Sequence, residues 1–309
     1  MKTIFISIAN FLDPEIKMTV DSAISNARYP ERLFFGIFSQ VDSTYISFEK
    51  SNNIKEEVVD YRTAKGAGYA RSMVQKMHSG QDYFLQVDAH SIFVKDWDVK
   101  VESLYKKIQE ETKNKKVIIS FYAKPYFRDK NSNVVFNHVD GNWPINEPHY
   151  VKFVEFYQGW LGVRERMPDG IEYHESSCIL GGFIFADSSI INEVPYDPNF
   201  GWTGEEAMFT IRAYTRGWKI FSPRENLLWH NYERHGNARI WDHNDKWKTL
   251  ESIAKIRMYE IIINEKDFGI FGIGERKLFK EFIARFCPDL IKKAEKFLAR
   301  EKMKNRRPH

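Results

Sequence analysis

Cysteine is scarce in this chain. Cys178 and Cys287 are the only two among 309 residues, and they lie far apart with no CxxC pair. That excludes a disulfide framework and a cysteine-rich metal knuckle, and it makes a reducing compartment the expectation. Long apolar runs are missing as well. No segment approaches the roughly 20 apolar residues that a membrane span needs. The N-terminal run from Ile4 to Ile8 is too short for a signal-peptide core, and Asn10, Asp13 and Glu15 follow at once. A soluble, cytoplasmic protein without membrane insertion is expected. A dominant charge is also absent. The 46 Lys and Arg against 42 Asp and Glu leave a formal net charge of +4, which gives no call for nucleic acid as a partner. The local basic excess, Lys292 to Arg307, reads as helix and then a solvated tail.

What the chain does have is hydrophobic mass. Its 43% hydrophobic fraction supports a real core, and its 15% aromatic fraction suits stacking surfaces as well as packing. At 309 residues it fits a large α/β domain with an appendage. Thr3 to Ile8 reads as a buried strand, and Asp13-Pro14-Glu15 opens a helix whose apolar face carries Ile16, Val20 and Ile24. Further strands are predicted at Leu33–Ser39, Val58–Tyr61, Tyr83–Val87 and Lys116–Tyr122. Helices are predicted from the Gly66 turn to Met77 and over Val99–Gln109. Strands alternating with helices predict a mostly parallel sheet covered on both faces, and such sheets bind ligands beyond the carboxyl ends of their strands. Asp88, Asn10 and Gln40 occupy such ends.

Between about 124 and 175 the pattern is broken by Pro125, Asn131, Asn133, Gly141, Pro144, Pro148 and Pro168, with Trp143 and Trp160 among them. Hairpins and loops forming an acceptor-side wall are expected there. Strand character resumes over Gly181–Ala186, and Glu205–Arg216 reads as a helix ended by Gly217. From residue 241 the chain reads as a helical C-terminal extension to a domain of residues 1–240, interrupted at Gly269–Gly274.

Three constellations carry chemistry. Asp88-Ala89-His90 follows a hydrophobic strand, where residues i and i+2 can converge on one divalent cation. The same string also suits a capping Asp beside an exposed His. His230, far away in Leu227–Arg234, supplies a candidate third ligand. Gly66-Ala67-Gly68-Tyr69-Ala70-Arg71 brings a guanidinium beneath the strand ends, where it either meets a pyrophosphate or pairs with Asp82 or Asp88. Gly201-Trp202-Thr203-Gly204-Glu205-Glu206 puts two carboxylates on a helix start, which the dipole alone would favour. The functional alternative sets Trp202 against a sugar ring and Glu205 or Glu206 against sugar or acceptor hydroxyls.

Taken in order, these pieces resemble a known pattern. Phe5–Glu15, Asn26-Ala27-Arg28-Tyr29-Pro30, Gly68–Arg71, Gln86–His90, Asp96-Trp97-Asp98 and Gly181-Gly182 are followed by Gly204-Glu205-Glu206 with Arg212, Gly217-Trp218, His230–Arg234, Ser252–Arg257 and Phe268–Gly274. The set resembles the GlcNAc-transferase family whose eukaryotic members modify hydroxyproline on a ubiquitin-ligase adaptor in the cytoplasm. That family looks like a cousin of the polypeptide GalNAc-transferases. The resemblance implies an α/β GT-A fold, a Rossmann-like nucleotide-sugar-binding architecture. It also implies a UDP-sugar donor, a divalent cation, usually Mn2+ and with Mg2+ as the alternative, and retention of anomeric configuration. By residue, it implies that Asp88, His90 and His230 hold the metal and Arg71 contacts the UDP phosphates. Asn10 and Asp13 would contact base or ribose, and Gly181 and Gly182 would line the donor site. Glu205, Glu206 and Trp202 would serve the transfer, with a protein or glycan as acceptor. Here the cousin's Trp-Gly-Gly-Glu loop reads Trp-Thr-Gly-Glu, which leaves the contacts of Thr203 and Glu206 open. The residues by themselves also suit a non-catalytic sugar- or nucleotide-binding module, or a metal-dependent phosphoester hydrolase.

Overall fold

The computed structural model describes residues 1–136, 148–156, 159–233, 238–263 and 268–304. Gly141, Trp143, Pro144 and Arg234, singled out in the sequence, lie outside the described residues, as does the end of the basic tail from residue 305. In chain order the elements are β1 (Ile4–Phe11), α1 (Ile16–Asn26), β2 (Leu33–Val41), β3 (Ile54–Asp60), α2 (Ala67–Gln75), β4 (Tyr83–Asp88), β5 (Ser91–Phe93), α3 (Trp97–Thr112) and β6 (Val117–Ile119). Then come β7 (Lys124–Arg128), β8 (Val134–Phe136), β9 (His149–Phe156), β10 (Gly159–Arg166), β11 (Tyr173–Ser176), β12 (Phe183–Asp187), α4 (Ile190–Glu193), α5 (Glu205–Tyr214), β13 (Lys219–Pro223) and β14 (Leu228–His230). The chain closes with α6 (Ile240–His243), α7 (Trp247–Ile263), α8 (Arg276–Phe286) and α9 (Leu290–Lys304).

An eight-stranded sheet runs β11-β13-β6-β12-β4-β1-β2-β3. The four strands β4, β1, β2 and β3 are all parallel, as the alternation of strands and helices predicts. Beyond β4 the sheet is mixed, because β12 enters antiparallel between β4 and β6. An antiparallel neighbour needs no helical crossover, so the break in the βα pattern after β6 is where the mixed half begins.

Side chains of the central strands alternate between two apolar layers. Ile4, Ile6 and Ile8 of β1 and Leu85 and Val87 of β4 join the layer beneath α1 and α3. Phe5 and Phe84 face the opposite layer, which includes Ala70 and Val74 of α2. Burial on both faces is why these strands read as continuous apolar runs, and each such side chain contributes roughly 1.5–3 kcal/mol. The irregular region forms two antiparallel hairpins, β7–β8 and β9–β10. α7, α8 and α9 share a third apolar cluster with α5, in which Met208 and Ile211 pack with Met258, Ile262 and Phe282. No helix among the described residues is long and apolar enough to cross a membrane.

Candidate active site

Asp88 is the last residue of β4, His90 lies in the tight connection to β5, and His230 ends β14. β14 pairs antiparallel with β5 so that His230 stands opposite Ser91, and the Asn231 N–H donates to the His90 carbonyl at 3.1 Å. This pairing carries His230 across 142 positions of sequence to Asp88, with Nε2 and Oδ2 3.1 Å apart. The two imidazole centroids are 4.6 Å apart. One ligand atom each from Asp88, His90 and His230 falls within 4.8 Å of the others.

His90 has its orientation fixed from behind. Its Nδ1 lies 2.8 Å from Oδ2 of the buried Asp13. A carboxylate only accepts, so Nδ1–H is the donor and the Nε2 lone pair is left for a ligand bond. Oδ1 of Asp13 accepts from the Glu15 N–H at 2.9 Å, and the Asp13 N–H donates to Asn10 Oδ1 at 3.1 Å. Asn10 is fully buried and donates through Nδ2 to Ser39 Oγ at 3.2 Å. Asn10 and Asp13, which the resemblance casts as base or ribose contacts, thus have defined partners within the protein, and Asp13 supports a candidate ligand.

A second support escapes sequence reading. The buried Glu15 carboxylate accepts from Tyr126 Oη at 2.6 Å, Arg128 Nε at 2.6 Å and Asn231 Nδ2 at 3.2 Å. It ties the start of α1 to β7 and to the residue after His230. Tyr232 packs its ring 4.3 Å from that of His230 and donates through its hydroxyl to the Ala123 carbonyl at 3.0 Å. The one available signal was the position of Asn231 and Tyr232 directly after a candidate ligand.

Arg71 rises from α2 into the same centre. Nη1 donates to Glu205 Oε1 at 2.6 Å, while Nη2 donates to Asp88 Oδ1 at 3.0 Å and to the Gly181 carbonyl at 3.3 Å. Of the two pairings the sequence left open, Asp88 is therefore the partner, and Asp82 instead accepts from Thr3. Burial opposes the Arg71 charge, but Glu205, Tyr196 and Asp88 outweigh it and hold the guanidinium well above its ordinary value. Burial likewise disfavours the Asp88 charge, yet the His230 hydrogen bond, Arg71 and His90 keep the carboxyl far below the usual carboxylate range. Both groups are therefore ionised at neutral pH.

The two glycines before β12 make room for this arrangement. A Cβ on Gly181 would collide with the Arg71 guanidinium. A Cβ on Gly182 would stand 3.3 Å from Asp88 Oδ2 and 3.9 Å from His230 Nε2, filling the space beside the ligand atoms. The Gly181 N–H donates to Glu206 Oε1 at 2.6 Å. Burial, then the neighbouring Glu205, push the Glu206 carboxyl up to about 7.

The structure therefore gathers Asp88, His90, His230, Arg71, Glu205, Glu206, Gly181 and Gly182 at the carboxyl ends of β1 and β4. Trp202 stands at the rim, 65% exposed, edge-on to Trp241 with ring centroids 6.0 Å apart. One carboxylate and two imidazoles form a donor set suited to a divalent first-row cation. Three protein ligands leave coordination positions for phosphate oxygens or water.

The family described as Glycosyltransferase (GlcNAc) matches residues 3–48 and 44–270. No curated protein matches the chain. Among solved structures, GalNAc-T7 with UDP, GalNAc and Mn2+ is similar at a TM-score of 0.61 and 14% identity, over 94% of this chain and 57% of that one. The chain thus spans little more than half the length of GalNAc-T7. S. aureus TarS 1–349 in complex with UDP-GlcNAc gives a TM-score of 0.48 and 12% identity, over 94% of this chain and 74% of that one. The fold is GT-A, with a large central sheet in a mixed α/β architecture. With the family matched across most of its length, this chain belongs to the GlcNAc glycosyltransferase family.

Proposed function

We propose that the chain moves a hexose, with GlcNAc as the family default, from a UDP-sugar to a hydroxyl of a protein or glycan acceptor. The transfer retains anomeric configuration and depends on a divalent cation, Mn2+ or Mg2+. The observation that carries this reading is the convergence of Asp88, His90 and His230 beside the buried Arg71, at the strand ends of a glycosyltransferase-family chain. The presence of UDP, GalNAc and Mn2+ in the GalNAc-T7 structure supports the donor class and the metal.

In this reading Asp88, His90 and His230 hold the cation, with Asp13 fixing the His90 tautomer. When bound, the cation offsets the diphosphate charge and stabilises the departing UDP. Arg71 is already held between Asp88 and Glu205, so its guanidinium adds a preorganised positive charge at the leaving group. Glu205 is paired with Arg71 and orients it, and Glu206 is engaged with the Gly181 amide, so a positioning rather than a nucleophilic role is proposed for both. A front-face attack follows, in which the acceptor hydroxyl enters on the side from which UDP leaves and the β-phosphate takes its proton. Gly181 makes room for the Arg71 guanidinium and Gly182 lies beside the ligand atoms of Asp88 and His230, Glu206 holds the Gly181 amide, and Trp202 offers its face to the acceptor.

The test is a panel of UDP-sugars incubated with Mn2+ and scored for UDP release, with a hydroxyproline peptide and simple glycans as acceptors. Release from UDP-GlcNAc that EDTA abolishes is the expected result. Failure with every UDP-sugar would sink the proposal.

A further inference from the structure

The loop before α5 departs from the related Trp-Gly-Gly-Glu pattern at Thr203, and the structure gives that departure a partner. Glu251, on α7, accepts from the Trp202 N–H at 3.0 Å and from the Thr203 N–H at 3.1 Å. It also accepts from the Thr203 hydroxyl. Three donors of two adjacent residues thus converge on one carboxylate, 48 and 49 positions away in sequence.

The glycines flanking this contact fit the same purpose. A Cβ on Gly201 would stand 2.9 Å from Glu251 Oε1, so glycine lets the carboxylate reach the backbone. Gly204 has φ of +78°, and a Cβ there would drive into the Met258 sulfur, also on α7. Arg257 of the same helix bonds Asp197 Oδ2 at 2.7 Å, just ahead of the loop. On its other side the loop meets α2, where the Gly68 N–H donates to the Gly201 carbonyl at 3.3 Å. The segment 197–204 therefore lies between α2 and α7, and it runs directly into Glu205, the partner of Arg71. Its backbone is fixed while the Trp202 ring stays 65% exposed.

We infer that Glu251 is a positioning residue for transfer: with Thr203 it clamps the Gly201–Gly204 loop so that Trp202 faces the acceptor side and Glu205 stays on Arg71. The inference rests on the transferase reading. It also assigns the C-terminal helices a part in the reaction, since the clamp comes from α7 and none of its groups touches the candidate metal ligands. A side chain acting through a loop in this way changes turnover more than donor affinity, because misplacement of a group by a fraction of an ångström is felt mainly in the transition state.

The experiment compares the native protein with Glu251→Ala, Glu251→Gln and Thr203→Val. It follows three readouts: hydrogen exchange at the Trp202 and Thr203 amides, Mn2+-dependent UDP affinity by calorimetry, and kcat for UDP release from UDP-GlcNAc. Glu251→Ala is expected to speed exchange at both amides and to lower kcat, each by about tenfold or more, with UDP affinity kept within about twofold. Glu251→Gln retains one carbonyl oxygen for the two amides and recovers most of the turnover. Thr203→Val loses only the hydroxyl bond and gives a smaller loss in kcat, so it serves where Glu251→Ala does not fold. Unchanged exchange in Glu251→Ala and Thr203→Val overturns the clamp. Faster exchange with unchanged kcat, or a fall in UDP affinity equal to the fall in kcat, overturns the positioning role. If the native protein releases UDP from no UDP-sugar, the transferase reading fails instead, and the exchange arm, which needs no turnover, tells the two failures apart.

Discussion

Asp88, His90 and His230 stand on the ends of strands, whereas Trp202 and Thr203 stand on a loop that no ladder holds. On the strand side every candidate ligand is cross-braced. Asp88 meets Arg71 and His230, His90 meets Asp13, and the residue after His230 meets both Glu15 and the His90 backbone. On the loop side the backbone is held by Glu251, by Gly68 and by the close packing of glycines, and the aromatic ring projects into solvent. The difference matches the two tasks proposed for the two sides. A metal and a diphosphate demand fixed ligand geometry and a fixed charge, which buried strand ends supply. An acceptor has to enter and leave, and an exposed ring on a braced loop leaves that path open.

The strongest way to break this contrast is to remove a candidate ligand. Asp88→Ala or His230→Ala is expected to lower transfer by more than about a thousandfold and to abolish metal-dependent UDP binding at the same time. Calorimetry with and without EDTA checks it, and a variant that keeps both properties would remove the metal site from the strand ends. Next in size is the support behind the ligand. Asp13→Ala is expected to weaken Mn2+ affinity by roughly 10- to 100-fold, with Asp13→Asn milder, as read by metal titration. A loss of UDP affinity at saturating Mn2+ would instead return Asp13 to the nucleoside contact implied by the resemblance.

Gly181→Ala is expected to be intermediate, because its Cβ displaces the Arg71 guanidinium. Overpacking of this kind costs about 1–3 kcal/mol, and thermal melting together with kcat reads both consequences. The pH dependence of stability sharpens the picture at Glu206. Its carboxyl is raised to about 7 in the folded protein by burial and by Glu205, from an ordinary value of 4.5. Between those values the folded state binds more protons than the unfolded state. This group therefore makes the metal-free protein lose stability as pH rises through that window. Glu206→Gln, which keeps an acceptor for the Gly181 amide, is expected to flatten that slope in melts run from pH 5 to about 7. The smallest effect belongs to Trp202→Ala, whose exposed ring should leave stability within about 0.5 kcal/mol while acceptor KM rises.

Several features of the site were legible because they are local. The apolar run Tyr83–Val87 ending in Asp88 announces a buried strand with a polar end, and the i, i+2 spacing to His90 follows from the same few residues. The Gly66–Arg71 turn opens a helix that delivers Arg71 as expected, yet the close approach its glycines permit is to the loop at Phe200 and Gly201. The role of Asp13 was not legible, since nothing nearby in sequence distinguishes a carboxylate that faces a nucleoside from one that faces a histidine 77 positions away. Glu15 and Glu251 were invisible for the same reason. Each reads as an ordinary helix carboxylate until the fold supplies its partners. The mostly parallel sheet was legible, but the antiparallel direction of β12 was not, because it joins beside β4 without a helical crossover and periodicity reports which faces are buried but not strand direction.

The sequence by itself determined the buried strands β1, β2, β4 and β6, the start of α5 and the i, i+2 spacing of Asp88 and His90, because hydrophobic period and spacing act over a few residues. It also carried, in its ordered motifs, the family. The tertiary structure alone decided that β14 pairs with β5 and so brings His230 to Asp88, that Arg71 lies between Asp88 and Glu205, and that α7 reaches the loop before α5. Those contacts join segments many tens of residues apart. They exist only once the burial of two apolar layers has fixed which strand ends lie side by side.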